Sequence, residues 1–204
     1  QWSREEDMQQ GRYRPVAMVK LRGGLDQNGN WIAWNVRQAD QSILSTVDLG
    51  PNIRVKDGVD PIGTRVFSDN PYAVPNFRNE YAMRNTHVPP GFWRAVAHTH
   101  NPFFRECFID ELAHAAGKDP YQFRRPLLEK KAKDLGVLDA VAKAAAWDKP
   151  MKAGLQRGIA VVDGYGSFTA AVVELAVKDK AIQVDRVIVA IDSGYVVNPD
   201  AVKA

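Results

Sequence analysis

VPPGFWRAVAHTHNPFFRECFIDELA, residues Val88 to Ala113, joins a rigid loop to an abruptly started helix. Pro89, Pro90 and Gly91 enforce an irregular path that carries Phe92, Trp93 and Arg94. Asn101 suits an N-cap and Pro102 a first helical turn, which predicts a helix over Pro102 to Ala116. A guanidinium on a constrained loop, braced by an aromatic pair, is one way to fix a polar group near a ligand. A surface connection whose arginine bonds a carboxylate has the same pattern. At 100° per residue, Phe104, Phe108, Leu112, Ala115 and Ala116 share one helix face, with Glu106, Asp110 and His114 opposite. That acidic stripe reads as solvated or salt-bridged rather than as a metal site. Arg105 points into the apolar arc and so requires a buried partner. Cys107, the single cysteine, is expected in the core and not as a nucleophile.

Upstream, residues 12 to 40 read as a β-hairpin, with Asp26-Gln27-Asn28-Gly29-Asn30 as its turn before Trp31-Ile32-Ala33-Trp34. Residues 48 to 79 are rich in Pro, Gly, Asn and Asp and read mostly as loop. Glu80 to Arg84 suits a short strand. Downstream, Gly117 ends the central helix, and Asp119-Pro120 starts another by the same cap-then-proline logic. A third helix is expected from about Gly136 to Trp147, then a linker from Lys149 to Gln156. Strands follow over Gly158–Val162, Phe168–Val177 and Ala181–Ile191, with Lys178-Asp179-Lys180 as a hairpin turn. Strands, helices, then strands give an α+β class, with β-hairpins flanking a central helical segment.

The 204 residues, 45% hydrophobic and 25% charged, suffice to bury a core without disulfides. A net charge of +3 with scattered basic residues argues against nucleic-acid binding. No apolar run is long enough for a transmembrane span. His98-Thr99-His100 places two imidazoles on one side of an extended segment, but no third ligand accompanies them, so a zinc-hydrolase reading is set aside. No metal ligand set and no catalytic residue is assigned within this chain.

The motifs as a set resemble the large, molybdenum-binding subunits of the xanthine dehydrogenase and aldehyde oxidase family. The resemblance is strongest to the branch of isoquinoline 1-oxidoreductase, in its beta chain. There a P-x-G-F-W-R-x-V-x-x-x-x-N-x-F-F loop leads into an E-x-F-I-D-E-L-A helix, as from Pro89 to Ala113 here. Trp2-Ser3-Arg4-Glu5-Glu6-Asp7-Met8 resembles W-T-R-E-D-D-M, and Pro71 to Asn76 resembles P-Y-A-I-P-N. Arg157 to Val161 with Gly166-Ser167-Phe168 resembles R-G-I-A-V…G-S-Y, and Asp192-Ser193-Gly194 with Val197-Asn198-Pro199 resembles D-x-G-x-x-V-N-P.

The resemblance implies a molybdenum hydroxylase. A molybdopterin cytosine dinucleotide cofactor with molybdenum would place a water-derived oxygen on an N-heteroaromatic or aldehyde C–H carbon. Electrons would leave through iron–sulfur clusters on a small partner subunit. It implies cofactor contacts at Gly91, Phe92, Trp93, Arg94, Gly166 and Ser167, and a substrate pocket at Val96 and Phe168. Where the broader family has F-R-G-F-G-G, Ala95-Val96-Ala97-His98 replaces the last four positions, so the pocket is expected to differ in shape. Arg14, in Tyr13-Arg14-Pro15, is suited either to a cofactor phosphate or to a carboxylate of the protein.

The family's G-Q-G and G-Q-x-E-G cofactor segments and its glutamate base are absent, so the chain is expected to be an internal piece of a subunit and inactive alone. Residues 1–117 would be part of the first molybdopterin-binding half, 118–156 a helical connection and 157–204 the start of the second half. The competing reading is a truncated or vestigial module that only folds or docks. Bacterial cytoplasm and periplasm both stay open.

Overall fold

The computed structural model describes residues 1–203. The chain divides into two units. The first is Gln1–Gly24, Trp31–Asn70 and Pro75–Arg105; the second is Leu25–Asn30, Pro71–Val74 and the chain from Glu106 onward.

The first unit opens with a one-and-a-half-turn helix, α1 (Arg4–Gln9), which the sequence Ser-Arg-Glu-Glu dictates. The Ser3 hydroxyl accepts from the Glu6 N–H at 3.2 Å, and the Glu6 carboxylate accepts from the Ser3 N–H at 3.0 Å, a capping box. Three strands, β1 (Ala17–Leu25), β2 (Trp31–Asp40) and β3 (Asn76–Met83), form a sheet in that order. β3 lies parallel to β2, from Ala33 opposite Asn76 to Asp40 opposite Met83. A parallel pair cannot be closed by a tight turn, which explains the long Pro/Gly/Asp-rich stretch between the two strands: it is their crossover. Strand pairing also begins earlier than Glu80, because Asn76 to Asn79 are held by β2 despite their poor strand propensity.

On the inward face of β2 the character changes along the strand. Trp34 and Val36 are buried in an aromatic cluster, with Trp34 4.9 Å from Phe77 and 6.0 Å from Phe67 between ring centroids. Gln38 and Asp40 continue the same face and are equally buried. Gln38 donates to Asp40 and to the Gly63 carbonyl, both at 2.8 Å. Asp60 ties the crossover down by accepting from the Ser42 hydroxyl at 2.7 Å and the Ile62 N–H at 2.7 Å.

The central helix α2 (Asn101–Ala115) has a buried stripe different from the one read from apolar spacing. Arg105, Ile109, Leu112 and Ala113 are buried with Glu106, while Phe103 and Ala115 are exposed. The stripe is rotated because Glu106, a charge that a hydrophobic count assigns to solvent, is buried beside Arg105. Arg105, as expected, is wholly buried and donates to the Val66 carbonyl at 3.4 Å. Asn101 does not cap; its amide nitrogen donates to the carbonyls of Gly63 and Arg65, each at 2.9 Å. Cys107 is exposed rather than in the core. Desolvation, and then the neighbouring Asp110, Glu106 and Glu111, push its thiol up.

In the second unit, Gly117 (φ 63°) ends α2, with the Lys118 N–H on the Ala113 carbonyl at 2.9 Å. α3 (Pro120–Arg124) is capped by Asp119, which accepts from the Gln122 N–H at 2.9 Å. α4 (Ala132–Ala144) starts four residues before the Gly136 expected from periodicity. It packs on a second sheet, β4 (Gln156–Gly164), β5 (Ser167–Lys178) and β6 (Ala181–Asp192), an antiparallel meander. Its two tight turns use positive φ at Tyr165-Gly166 and at Asp179-Lys180, the geometry that matches strand twist. Ile159 and Val161 of β4, Val172 of β5 and Leu138 and Val141 of α4 are among its buried side chains. A short helix, α5 (Pro199–Lys203), follows.

Candidate cofactor-binding loop

Within the first unit, the loop from Thr86 to His100 is held from below by polar side chains. Gln41 donates to the Thr86 hydroxyl at 2.8 Å and to the Val88 carbonyl at 3.0 Å. The Thr46 hydroxyl donates to the Pro90 carbonyl at 2.7 Å, and the Gly91 N–H to the Tyr13 carbonyl at 2.9 Å. Gly91 is required by this approach: a Cβ there would lie 2.6 Å from the Arg12 Cβ.

Arg14 is the brace that sequence reading left open. Its guanidinium donates to the Val96 carbonyl at 2.9 Å and the Arg94 carbonyl at 3.1 Å, and lies 5.9 Å from the Trp93 ring centroid. It therefore neither meets a carboxylate nor points freely to a ligand. The Thr99 hydroxyl adds a second donor on the Arg94 carbonyl at 3.1 Å. Since a trans peptide sets N–H opposite C=O, fixing the Arg94 carbonyl aims the Ala95 N–H away from Arg14. Among the described residues, the N–H groups of Trp93, Arg94 and Ala95 meet no acceptor. Phe92 and Trp93 (56% exposed) stand outside the loop, and Arg94 is exposed with no acceptor among the described residues.

The loop is strained. Ala95 (φ 66°) and Val96 (φ 50°) both occupy the left-handed region, which a β-branched side chain disfavours most. Ala95→Gly is expected to stabilise the chain by about 0.5–1 kcal/mol, measured as a rise in urea midpoint at unchanged slope. An unchanged or lower midpoint would contradict the strain.

His100 sits beneath this loop with both ring nitrogens buried and unpartnered among the described residues, 6.3 Å from the Phe104 ring. Burial, and then the Arg14 charge, push it down to about 4, so it is a neutral imidazole at physiological pH. No group of three or more His, Cys, Asp or Glu gathers among the described residues.

Gly166, Ser167 and Phe168 belong to the second unit. Gly166 (φ 80°) forms the β4–β5 turn, Ser167 opens β5, and the Phe168 ring lies 5.2 Å from the Lys133 ammonium. A cavity of about 670 Å³ in the first unit is lined by Arg22, Trp34, Asn35, Phe77 and Arg78, away from the loop residues.

Residues 1–127 match the family model described as the molybdopterin cofactor-binding domain. One subunit of nicotinate dehydrogenase from Pseudomonas putida is 28% identical over 91% of this chain and 17% of its own length. The beta chain of isoquinoline 1-oxidoreductase from Brevundimonas diminuta is 25% identical over 100% of this chain and 26% of its own. The chain thus spans about a quarter or less of these two relatives. Aldehyde oxidoreductase from Desulfovibrio gigas shares the fold with a TM-score of 0.50 at 17% identity, covering 84% of this chain and 21% of that one. No helix among the described residues is long and apolar enough to cross a membrane. With a family match over well more than half its length, this chain belongs to the molybdopterin cofactor-binding domain family.

Proposed function

We propose that this chain is part of the molybdopterin-binding subunit of a molybdenum hydroxylase, oxidising N-heteroaromatic or aldehyde C–H bonds with water as oxygen source. The observation that carries the reading is the braced loop, whose Trp93, Arg94 and Ala95 N–H groups meet no acceptor among the described residues. Molybdenum on a pterin supplies the oxidation chemistry when bound. The chain's own residues supply position and field. Fixed N–H donors steady an oxygen bearing partial negative charge without reorganising. The free Arg94 guanidinium matches a planar or phosphate oxygen pair. Gly91, Phe92, Gly166 and Ser167 complete the proposed cofactor contacts.

Val96 and Phe168 are each proposed, by the same resemblance, as substrate contacts, and Val96 is smaller than the aromatic of the broader pattern. The same proposal includes the cytosine dinucleotide form of the cofactor and a partner subunit carrying iron–sulfur clusters. It also includes the division into a first half (1–117), a connection (118–156) and a second half (157–204).

The test uses the polypeptide carrying this sequence, purified from its source. Molybdenum should be present by elemental analysis, cytosine nucleotide should be released on acid hydrolysis, and product oxygen should carry label from water. Arg14→Met should lower molybdenum content about tenfold while circular dichroism stays unchanged, because it loosens the support rather than the contacts. Protein free of molybdenum and pterin would sink the reading.

A further inference from the structure

The interior of the first unit holds a cluster of oxygen atoms that is short of hydrogens. Gln38 and Asp40 are 2% and 1% exposed, so they are interior whatever further chain packs around this one. Gln38 spends both amide hydrogens, one on Asp40 Oδ2 and one on the Gly63 carbonyl, each at 2.8 Å. Gln38 Oε1 and Asp40 Oδ1 are buried with no partner among the described residues, and so is the Tyr81 hydroxyl. The groups are packed closely: a Cβ on Gly63 would lie 3.1 Å from Asp40 Oδ2 and 3.5 Å from Tyr81 Oη. With Asp40 ionised, its free oxygen and that of Gln38 are both acceptors, and the phenol has one hydrogen to offer. One buried acceptor therefore stays unmet, an expensive arrangement.

No counter-charge offsets this cost. Asp40 meets no ion-pair partner among the described residues. Asp60 faces it from the crossover and Tyr81 from β3, a second acid and a phenol. Arg105 of α2 donates to the Val66 carbonyl, and Lys20, Arg22 and Arg37 are exposed.

A single proton on Asp40 Oδ1 removes both deficits. It neutralises the buried charge and donates to Gln38 Oε1, closing a ring of two hydrogen bonds between acid and amide. A water molecule would supply hydrogens but leave the charge in place beside Asp60. Burial works in the proton's favour, pushing Asp40 up to about 7.

The ring is joined to both ends of the loop that carries Trp93 and Arg94. The Asp40 carbonyl accepts from the Arg84 N–H at 2.8 Å, just before the loop begins at Thr86. The Gly63 carbonyl, held by Gln38, also accepts from the Asn101 amide at 2.9 Å, just after the loop ends at His100.

We propose that Asp40 is a neutral acid paired with Gln38 that positions the Thr86–His100 loop, and that its ionisation loosens the loop at both ends. What the loop binds rests on the cofactor reading; the pairing and the loosening do not.

The test uses the full polypeptide that carries this sequence, made with aspartate isotope-labelled at its side-chain carboxyl. A protonated-carboxyl infrared band that moves with the label should be present at about pH 5.5, fade by about pH 8.5, and be missing from Asp40→Asn. Amide exchange of peptides spanning Arg84 to Asn101 should match between wild type and Asp40→Asn at about pH 5.5, because the asparagine amide supplies the missing hydrogen. At about pH 8.5 the wild type should exchange about threefold faster than the variant. Neither readout depends on molybdenum, so protein free of the metal would sink the cofactor reading and leave this one standing. An infrared spectrum no different between wild type and Asp40→Asn overturns the proposal and assigns the deficit to water or a cation. The band without the pH-dependent exchange difference overturns the positioning role.

Discussion

Arg124→Met is expected to destabilise the chain by about 3–5 kcal/mol, read from urea unfolding. Arg124 is 0% exposed and its guanidinium is fully engaged. It donates to the Glu106 carboxylate at 3.1 Å, the Glu106 carbonyl at 3.0 Å, Asp110 at 2.6 Å and the Pro120 carbonyl at 3.1 Å. Glu106, itself 4% exposed, also accepts from the Tyr72 hydroxyl at 2.9 Å and the Val161 N–H at 3.2 Å. This carboxylate therefore joins α2, α3 and β4. Burial works against the Arg124 charge, but Glu106, Tyr72 and Asp110 outweigh it and raise the pKa.

Methionine fills much of the volume but leaves Glu106 buried without its counter-charge, which is the expensive outcome. Adding Glu106→Gln to Arg124→Met should therefore recover part of the loss, and the double-mutant cycle should show a coupling above about 1 kcal/mol. Arg124→Lys should rescue little, since one ammonium cannot reach four acceptors set around a fork. A loss below about 1 kcal/mol for Arg124→Met would refute the account.

Asp40→Asn is expected to stabilise the chain at pH 8 by about 3 kcal/mol and to change how stability responds to acid. Asp40 is buried, and one of its oxygens has no partner among the described residues. Burial pushes it up to about 7 against the Gln38 hydrogen bond, and the nearby Asp60 adds to the rise. An acid whose folded value lies above its unfolded value holds its proton more tightly when folded. Its contribution is complete below the unfolded value near 4 and is lost as pH climbs to about 7.

His100 runs the other way. A base pushed down to about 4 contributes fully above its unfolded value, near 6.5, and loses this as pH falls toward 4. Over this shared window the two slopes oppose one another, so wild-type stability should be nearly level from these two groups. Asp40→Asn should unmask a stability that falls with acid, and His100→Gln one that falls with base. Urea midpoints at pH 4.5, 5.5, 6.5 and 8 distinguish them. Parallel pH profiles for the wild type and both variants would contradict the assignment.

Local chemistry was legible wherever neighbours in sequence complete it. The Asp119-Pro120 helix start, the Gly117 stop and the Lys178–Lys180 turn are each closed by residues within a few positions of one another, whereas the helix that Ser3 and Glu6 cap was not read from the sequence. The α+β order of elements and the loop carrying Phe92, Trp93 and Arg94 were legible for the same reason, since prolines and glycine constrain the backbone locally. The family resemblance was carried by those same ordered motifs. Illegible were the positions whose partners lie far along the chain. Asn101 has the right identity and place for a cap, yet Gly63 and Arg65 claim its amide.

Sequence alone thus determined the class of fold, the element order, the family and the loop that presents Trp93 and Arg94, because each follows from short-range backbone constraint or an ordered run of motifs. Arg105 apart, only the tertiary structure decided which charges are buried, and it alone decided what they hold. Arg14 could have met an anion, but geometry sets it on the Arg94 and Val96 carbonyls and aims a peptide N–H outward. Glu106 and Arg124, eighteen residues apart, look like solvent-facing charges until three elements close around them. The Asp185 bulge, invisible to alternation, sets Ile182 and Val184 on the same side of β6 as Val187, Val189 and Ile191. The physical reason is common to all three: desolvation, pairing and side-chain direction depend on what long-range contacts bring alongside, which no window of neighbouring residues contains.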